Sequence, residues 1–220
     1  FAAVVSEALG GGVGPTPFIA PYVMAPTAIR HAGSQSQQKN YLSKIATNEY
    51  SFGVGFSEFI GKRNDAGITF SDRGLNGRTM FVLDANDATH LLLTDEKGQI
   101  FVVDAKSANI EIVKLTTVDK TRQYSEVICK NLEAELLENS SDLVEPIYRA
   151  IDAGRIMLAA DSLGASQTMI DKAVDYAKER KQFGRAIGSF QAVKHMCAEM
   201  AADLEPCYAL VWHAAHCHDY

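Results

Sequence analysis

The 220-residue sequence predicts an α+β protein ordered as helices, then an antiparallel β region, then helices again. Three observations predict this order. Apolar residues recur at helical spacing at both ends, and between them fall short runs rich in branched and aromatic residues. Turn residues separate those runs with no helix-length segment between them, which favours antiparallel pairing in a small barrel or sandwich. No GxGxxG follows a strand, and the glycine cluster at Gly10 has no strand before it, so a dinucleotide-binding βαβ unit is not indicated. The expected divisions are 1–48 (helical), 49–137 (β) and 138–220 (helical).

Residues 1 to about 47 read as helical, with an interruption at GGGVGPTP. Gly10 to Gly14, with Pro15 and Pro17, are expected to stay outside any regular helix. Ala25 to Ala32 is small and apolar, and a helix restarts at GSQSQQKNYLSKI with Ser34 or Ser36 as its cap. Leu42 and Ile45 are spaced for one face of it. From residue 51 to about 130, SFGVGF, GITF, TMFVL, THLLLT, QIFVVD and IEIVKL read as strands. Asp95-Glu96-Lys97-Gly98 marks one turn, and Asp72-Arg73-Gly74 with Asn76-Gly77 marks another. From Leu143 onward Ile147, Ile151, Ile156, Leu163, Ile170, Val174 and Ala177 form the stripe of a long helix. Gly184 and Gly188 break it, and Phe190, Val193, Cys197, Met200 and Leu204 line the next helix. Two such helices alone leave apolar surface open, so more helices are expected from a longer chain or from another subunit.

The apolar fraction of 47% and charged fraction of 22% are ordinary for a globular protein. The net charge of -6 argues against a general nucleic-acid binder. No apolar run approaches membrane-spanning length. The first residues lack a basic leader and cleavage pattern, so they do not read as a signal peptide. The missing initiator Met and a start inside a helix are expected of a fragment. Four cysteines, Cys129, Cys197, Cys207 and Cys217, are too sparse for a disulfide scaffold, so thiols in the cytoplasm are expected. His213, His216, Cys217 and His218 are metal ligands by type. Neighbours on one helix rarely converge on a tetrahedron, so no metal site is expected.

The stretch from Tyr176 to Glu205 carries the most chemistry. It reads as a helix, a glycine-marked break and a second helix, with Arg180, Gln182, Phe183 and Gln191 around the break. The guanidinium can pair with a pyrophosphate, and the amides can bond a base edge. An ordinary helical hairpin with a capping network accommodates the same residues.

Four blocks in order, VGFSE (54–58), LNGRTMFV (75–82), DAGRIMLAADSLG (152–164) and YAKERKQFGRAIGSFQ (176–191), resemble the acyl-CoA dehydrogenase family. The resemblance covers nearly the whole chain, and the last block is the most specific. It implies a helical, β, helical architecture and FAD-dependent oxidation of the Cα–Cβ bond of an acyl-CoA thioester to the trans-2-enoyl-CoA. It also implies an electron-accepting flavoprotein as partner and a homo- or hetero-oligomer that shares FAD sites. By the same resemblance Ser57 bonds the flavin ring and Phe81 packs against the isoalloxazine. Leu83 stands where a Ser or Thr is usual, so one flavin contact is expected to be missing. Arg180, Gln182, Phe183 and Gln191 match positions that reach the FAD of a neighbouring subunit, and Asp152 and Arg155 match positions beside the acyl-CoA channel. Asp152 and Arg155 can equally form a surface ion-pair network. Phe59-Ile60-Gly61-Lys62-Arg63 replaces the usual glycine- and serine-containing turn, leaving Lys62 or Arg63 to supply charge, or to form a solvated basic turn.

The resemblance takes the catalytic Glu from a helix beyond the last residue here, or in some members from the position before Arg155, which is Gly154 in this chain. Three readings follow: a base in a longer chain, a base on a partner subunit, or a non-catalytic FAD- or partner-binding subunit. An unrelated β-plus-helical binding module is the further alternative.

Overall fold

The computed structural model describes residues 1–61, 63–140 and 144–219. The charge expected of Lys62 and the helix start expected at Leu143 lie outside the described residues. The chain divides into two compact units, Pro15–Gly154 and Phe1–Gly14 with Arg155–Tyr220.

The unit Pro15–Gly154 begins with a π-helical turn, Ala20–Met24, that runs directly into helix α2 (Ala25–Ala32). Helix α1 (Ala2–Gly11) belongs to the other unit. Helix α3 (Gln35–Ala46) starts at a capping box. Ser34 Oγ accepts the Gln37 N–H at 3.4 Å, and Gln37 Oε1 accepts the Ser34 N–H at 3.0 Å. Gln37 also donates to Glu135 Oε1 at 2.7 Å, and the Tyr41 hydroxyl donates to Glu135 Oε2 at 2.5 Å. These bonds fasten α3 to the last strand of the sheet. Ser34→Ala should therefore lower unfolding free energy by about 1 kcal/mol in urea titration. An unchanged midpoint would mean that the cap carries no stability.

The sheet has eight strands, β1 (Phe52–Gly55), β2 (Gly67–Ser71), β3 (Gly74–Leu83), β4 (His90–Thr94), β5 (Ile100–Asp104), β6 (Ile110–Lys114), β7 (Tyr124–Leu132) and β8 (Glu135–Leu136). Their order is β6-β7-β3-β1-β4-β5-β8, with β2 on β3. One pair departs from the antiparallel expectation, because β1 and β4 run parallel from Phe52↔His90 to Gly55↔Leu93. A parallel pair needs a crossover, and here the β2–β3 excursion supplies it in place of a helix. Strand β7 is not among the runs read from sequence. Its buried Ser125, Val127 and Cys129 alternate with half-buried positions such as Glu126, and the polar members mask the period. Asn76-Gly77 is not a turn but lies inside β3. Gly77 has φ +121, and a Cβ there would sit 2.2 Å from the Gly67 carbonyl oxygen.

The core of this unit lies on one sheet face, around Leu75, Val82, Leu91, Leu93, Phe101 and Val127. Leu92 and Ile100 point the other way by strand alternation and are also fully buried. The central strands are thus covered on both faces, which explains their unbroken apolar runs. Burial pushes the Cys129 thiol up to about 12, so it stays protonated and unreactive. Helix α4 (Glu145–Glu179) starts in this unit, with Ile147 and Ile151 buried.

In the other unit α1 packs against α4. The helix runs through Gly10 and Gly11, contrary to the expectation that these glycines interrupt it. Tertiary contact overrides their poor propensity, since the two helix backbones touch there. A Cβ at Gly10 would lie 1.9 Å from the Asp161 carbonyl oxygen, and one at Gly164 would lie 1.8 Å from that of Glu7. Ser6 Oγ donates to the Met157 carbonyl at 2.7 Å, and Thr168 Oγ1 donates to that of Gly11 at 3.1 Å. A short hairpin, β9 (Lys181–Gln182) and β10 (Arg185–Ala186), leads from α4 to α5 (Gln191–Asp219), which has no buried residue. Among the described residues no helix is long and apolar enough to cross a membrane.

Candidate functional site

The unit Pro15–Gly154 carries a pocket of about 260 Å³ lined by Ser57, Glu58, Ile60, Gly61, Arg63 and Phe81. Two irregularities build it. After β1 the chain makes a single 3-10 turn, Ser57–Phe59, which brings Ser57 and Glu58 to the wall. On β3 the register passes from Thr79↔Val127 to Val82↔Ser125, so Met80 and Phe81 together oppose one residue of β7. This bulge leaves Phe81 at φ +57, and a bulge of this kind re-aims a side chain. The Phe81 ring is exposed, meeting Tyr124 edge to face at 6.5 Å. The Arg63 guanidinium lies over it, 5.5 Å from the ring centre.

Polar groups in this pocket are unevenly satisfied. Ser57 Oγ donates to the Met80 carbonyl and lies 3.4 Å from Glu58 Oε2. Glu58 Oε1 is buried and has no hydrogen-bond partner among the described residues. A carboxylate oxygen sealed from water without a donor is costly, and such a group marks a site that a ligand donor can complete. The loop carrying Arg63 is fastened by Arg78, whose guanidinium pairs with Asp65 and, at 3.2 Å, with Glu126. Sequence reading did not assign Arg78, Tyr124 or the unpartnered oxygen of Glu58. Arg78 falls within the LNGRTMFV block, but its role depends on Asp65, which is brought near only by the β2–β3 pairing.

The second candidate cluster sits at the hairpin. Residues Gln182 and Arg185 pair across a two-residue loop, Phe183-Gly184, with φ +51 and +78. Positive φ at both central positions is the type I′ turn that suits a tight hairpin. The glycine-marked break is therefore an ordered hairpin. Phe183 is 92% exposed at its tip and meets Phe190 edge to face at 6.1 Å. The Arg185 guanidinium lies 4.1 Å over Phe190. Arg180, Gln182, Phe183 and Gln191 all face solvent at this corner, and the Gln182 side-chain amide donates to the neighbouring Lys181 carbonyl.

Asp152 and Arg155 are exposed on α4. Between them Gly154 packs on the π turn, where a Cβ would lie 2.8 Å from Met24 Sδ. A carboxylate-bearing side chain at this position would have to displace Met24. In the tail, Cys217 Sγ lies 3.5 Å from His213 Nε2. Among the described residues no group of three or more His, Cys, Asp or Glu converges as metal ligands.

A family model described as "Acyl-CoA dehydrogenase, C-terminal domain" matches residues 145–220. The chain is 32% identical over 228 residues to a subunit of the caffeyl-CoA reductase–Etf complex of Acetobacterium woodii, covering 93% of this chain and 59% of that protein. It is 31% identical over 206 residues to the 3-(aryl)acrylate reductase of Clostridium sporogenes, covering 84% and 54%. Among solved structures, a steroid ACAD, Tcur3481-Tcur3483, superposes with a TM-score of 0.83 at 26% identity, covering 99% of this chain and 60% of that one. The chain thus spans little more than half the length of these relatives.

Proposed function

The chain belongs to the acyl-CoA dehydrogenase family, and from that premise we propose that the full protein is an FAD-dependent oxidoreductase interconverting an acyl-CoA thioester and its trans-2-enoyl-CoA. The observation that carries the reading is the pocket in which the exposed Phe81 ring, the Ser57 hydroxyl and a buried Glu58 oxygen with no partner among the described residues converge. These residues fit a flavin. Phe81 offers an apolar face, Ser57 a donor and acceptor, and Glu58 an acceptor for a ligand N–H. FAD, when bound, supplies the acceptor for a hydride from Cβ.

The chain's own residues do the rest. Phe81 and Ser57 orient the ring system, and Leu83 leaves one family contact unmade. Arg180, with Gln182, Phe183 and Gln191, projects from the hairpin as a charged and aromatic clasp for the pyrophosphate and adenine of a cofactor held by a second subunit. Asp152 and Arg155 flank the thioester on α4. Proton removal at Cα needs a carboxylate within hydrogen-bonding reach, and Gly154 has none. The base is placed outside this 220-residue chain, on a longer chain or a partner. A cytoplasmic location and an electron-transferring flavoprotein partner complete the reading, the latter supported by the complex to which the caffeyl-CoA relative belongs.

A second reading concerns direction. The two relatives described above, matched over 93% and 84% of this chain, are both named reductases, which favours reduction of an enoyl thioester in the cell, while two others, 34% and 35% identical over about half of this chain, are named acyl-CoA dehydrogenases. The test is anaerobic mixing of the FAD-loaded full protein with a panel of acyl-CoA and enoyl-CoA esters. Bleaching of the visible flavin band by a saturated ester establishes the dehydrogenase direction. Reoxidation of prereduced flavin by an enoyl ester, without bleaching by its saturated partner, establishes the reductase direction. Neither response in a protein that retains FAD would leave a non-catalytic subunit. Failure to bind FAD would sink the proposal.

A further inference from the structure

Among the described residues that line the Ser57–Phe81 pocket, Arg63 alone carries a positive charge. It is exposed, its guanidinium lies over the Phe81 ring at 5.5 Å, and it makes no ion pair or side-chain hydrogen bond among the described residues. The carboxylate nearest to it in sequence, Asp65, is already taken. Asp65 pairs with Arg78, whose Nε also donates to the Asp65 carbonyl at 2.7 Å. Arg78 meets a second carboxylate, with Nη1 at 3.2 Å from Glu126 Oε1. The Arg63 carbonyl accepts the Ala66 N–H at 3.4 Å, so the segment leading into β2 is held at two points. Of the two arginines here, Arg78 is spent on the fold and Arg63 is not.

The backbone on the other wall offers little to an anion. The Ile60 and Gly61 N–H groups both donate to the Ser57 carbonyl at 3.0 Å, and the Phe59 N–H donates to that of Phe56 at 3.1 Å. A turn whose N–H groups are spent internally is not an anion-binding nest. The guanidinium is the donor that remains, and its planar fork matches two phosphate oxygens. Glu58 asks for the opposite partner, because its buried Oε1 can only accept. One ligand satisfies both residues when it carries an N–H donor and an anionic group on an apolar body suited to Phe81.

We propose that Arg63 is the phosphate-recognition residue of this pocket, pairing with a phosphate ester of the bound ligand. The proposal rests on the assignment of the pocket to flavin. Arg78 and Asp65 hold the segment that presents Arg63, and by pairing with each other they leave its charge for the ligand. A phosphate ester can come from a flavin nucleotide or from the CoA portion of a thioester. The flat ring expected on Phe81, with an N–H for Glu58, favours the flavin nucleotide.

The experiment is equilibrium binding of riboflavin, FMN and FAD to the flavin-stripped full protein, wild type against Arg63→Gln and Arg63→Lys, read by flavin fluorescence. Arg63 is exposed, so both variants should fold. Gln should weaken FAD binding about 10- to 100-fold, the loss of one charge-assisted contact, and leave riboflavin, which has no phosphate, unchanged. Lys should recover part of the loss, since it keeps the charge without the fork. Added salt should weaken FAD binding more in wild type than in the Gln variant. Equal losses for all three flavins would make Arg63 a cover for the ring and overturn the assignment. A second series compares an acyl-CoA with the same acyl-pantetheine, which has no phosphate. Weakening of the acyl-CoA alone, with flavin binding intact, keeps the assignment and identifies the phosphate as that of CoA. Loss in neither series overturns it. If the wild-type protein binds none of the flavins, the flavin reading fails alone, and the CoA series decides Arg63 by the same two outcomes.

Discussion

In a Gly164→Ala variant, unfolding free energy should fall by roughly 3 kcal/mol, the upper end of the usual cost of overpacking. The added methyl would meet the Glu7 carbonyl oxygen at 1.8 Å and the Gly11 nitrogen at 2.8 Å. Both are backbone atoms of α1, so no side chain can swing aside. The helix must slide or lift, and the bonds from Ser6 to Met157 and from Thr168 to Gly11 must stretch with it. Gly10→Ala, aimed at the Asp161 carbonyl from the opposite helix, should cost a similar amount. Gly12→Ala is the control. That position has φ -88 and its nearest foreign atom at 3.6 Å, so Ala there should change stability by less than about 0.5 kcal/mol. Chemical denaturation of the three variants checks the argument, and equal stabilities would show that the α1–α4 crossing does not depend on bare backbone.

The second large effect is expected at the hairpin. Arg180→Ala in the assembled protein should weaken FAD retention about 10- to 100-fold, the loss of one charge-assisted contact worth about 1.5–3 kcal/mol. The melting temperature of the cofactor-free protein should hardly move. Arg180 is exposed and makes no ion pair among the described residues, so little folded structure depends on it. Arg180→Lys should recover only part of the affinity, because an ammonium cannot match two phosphate oxygens as a guanidinium fork does. Flavin titration of assembled protein is the measurement. Wild-type affinity in the Ala variant would remove Arg180 from the cofactor site.

Much of this protein is local and was legible in its sequence. The switch from helical to strand period fixes which stretches are helix and which are sheet, because burial on one face imposes the period. The Ser34 cap, the Asp95-Glu96-Lys97-Gly98 turn and the break after Glu179 depend on residues within one turn of each other. The four blocks carry the family resemblance, and they named Ser57, Phe81 and the Arg180 corner. The structure puts Ser57 and Phe81 on one pocket wall and the four hairpin residues on one exposed corner.

Other features were decided by contacts between distant residues. The parallel pairing of β1 with β4 follows from where the β2–β3 excursion returns, which no local pattern encodes. Gly10 and Gly11 read as helix breakers until α4 is laid against them, when their missing side chains become the reason the helices can meet. The bulge that turns Phe81 outward and the Arg78 tie to Asp65 likewise need the whole sheet in place. The sequence by itself determined most of the elements, their order and the family resemblance. Tertiary structure decided which backbones touch, which ring faces the pocket and which carboxylates lose their water, because burial and close approach belong to pairs of segments and not to any one of them.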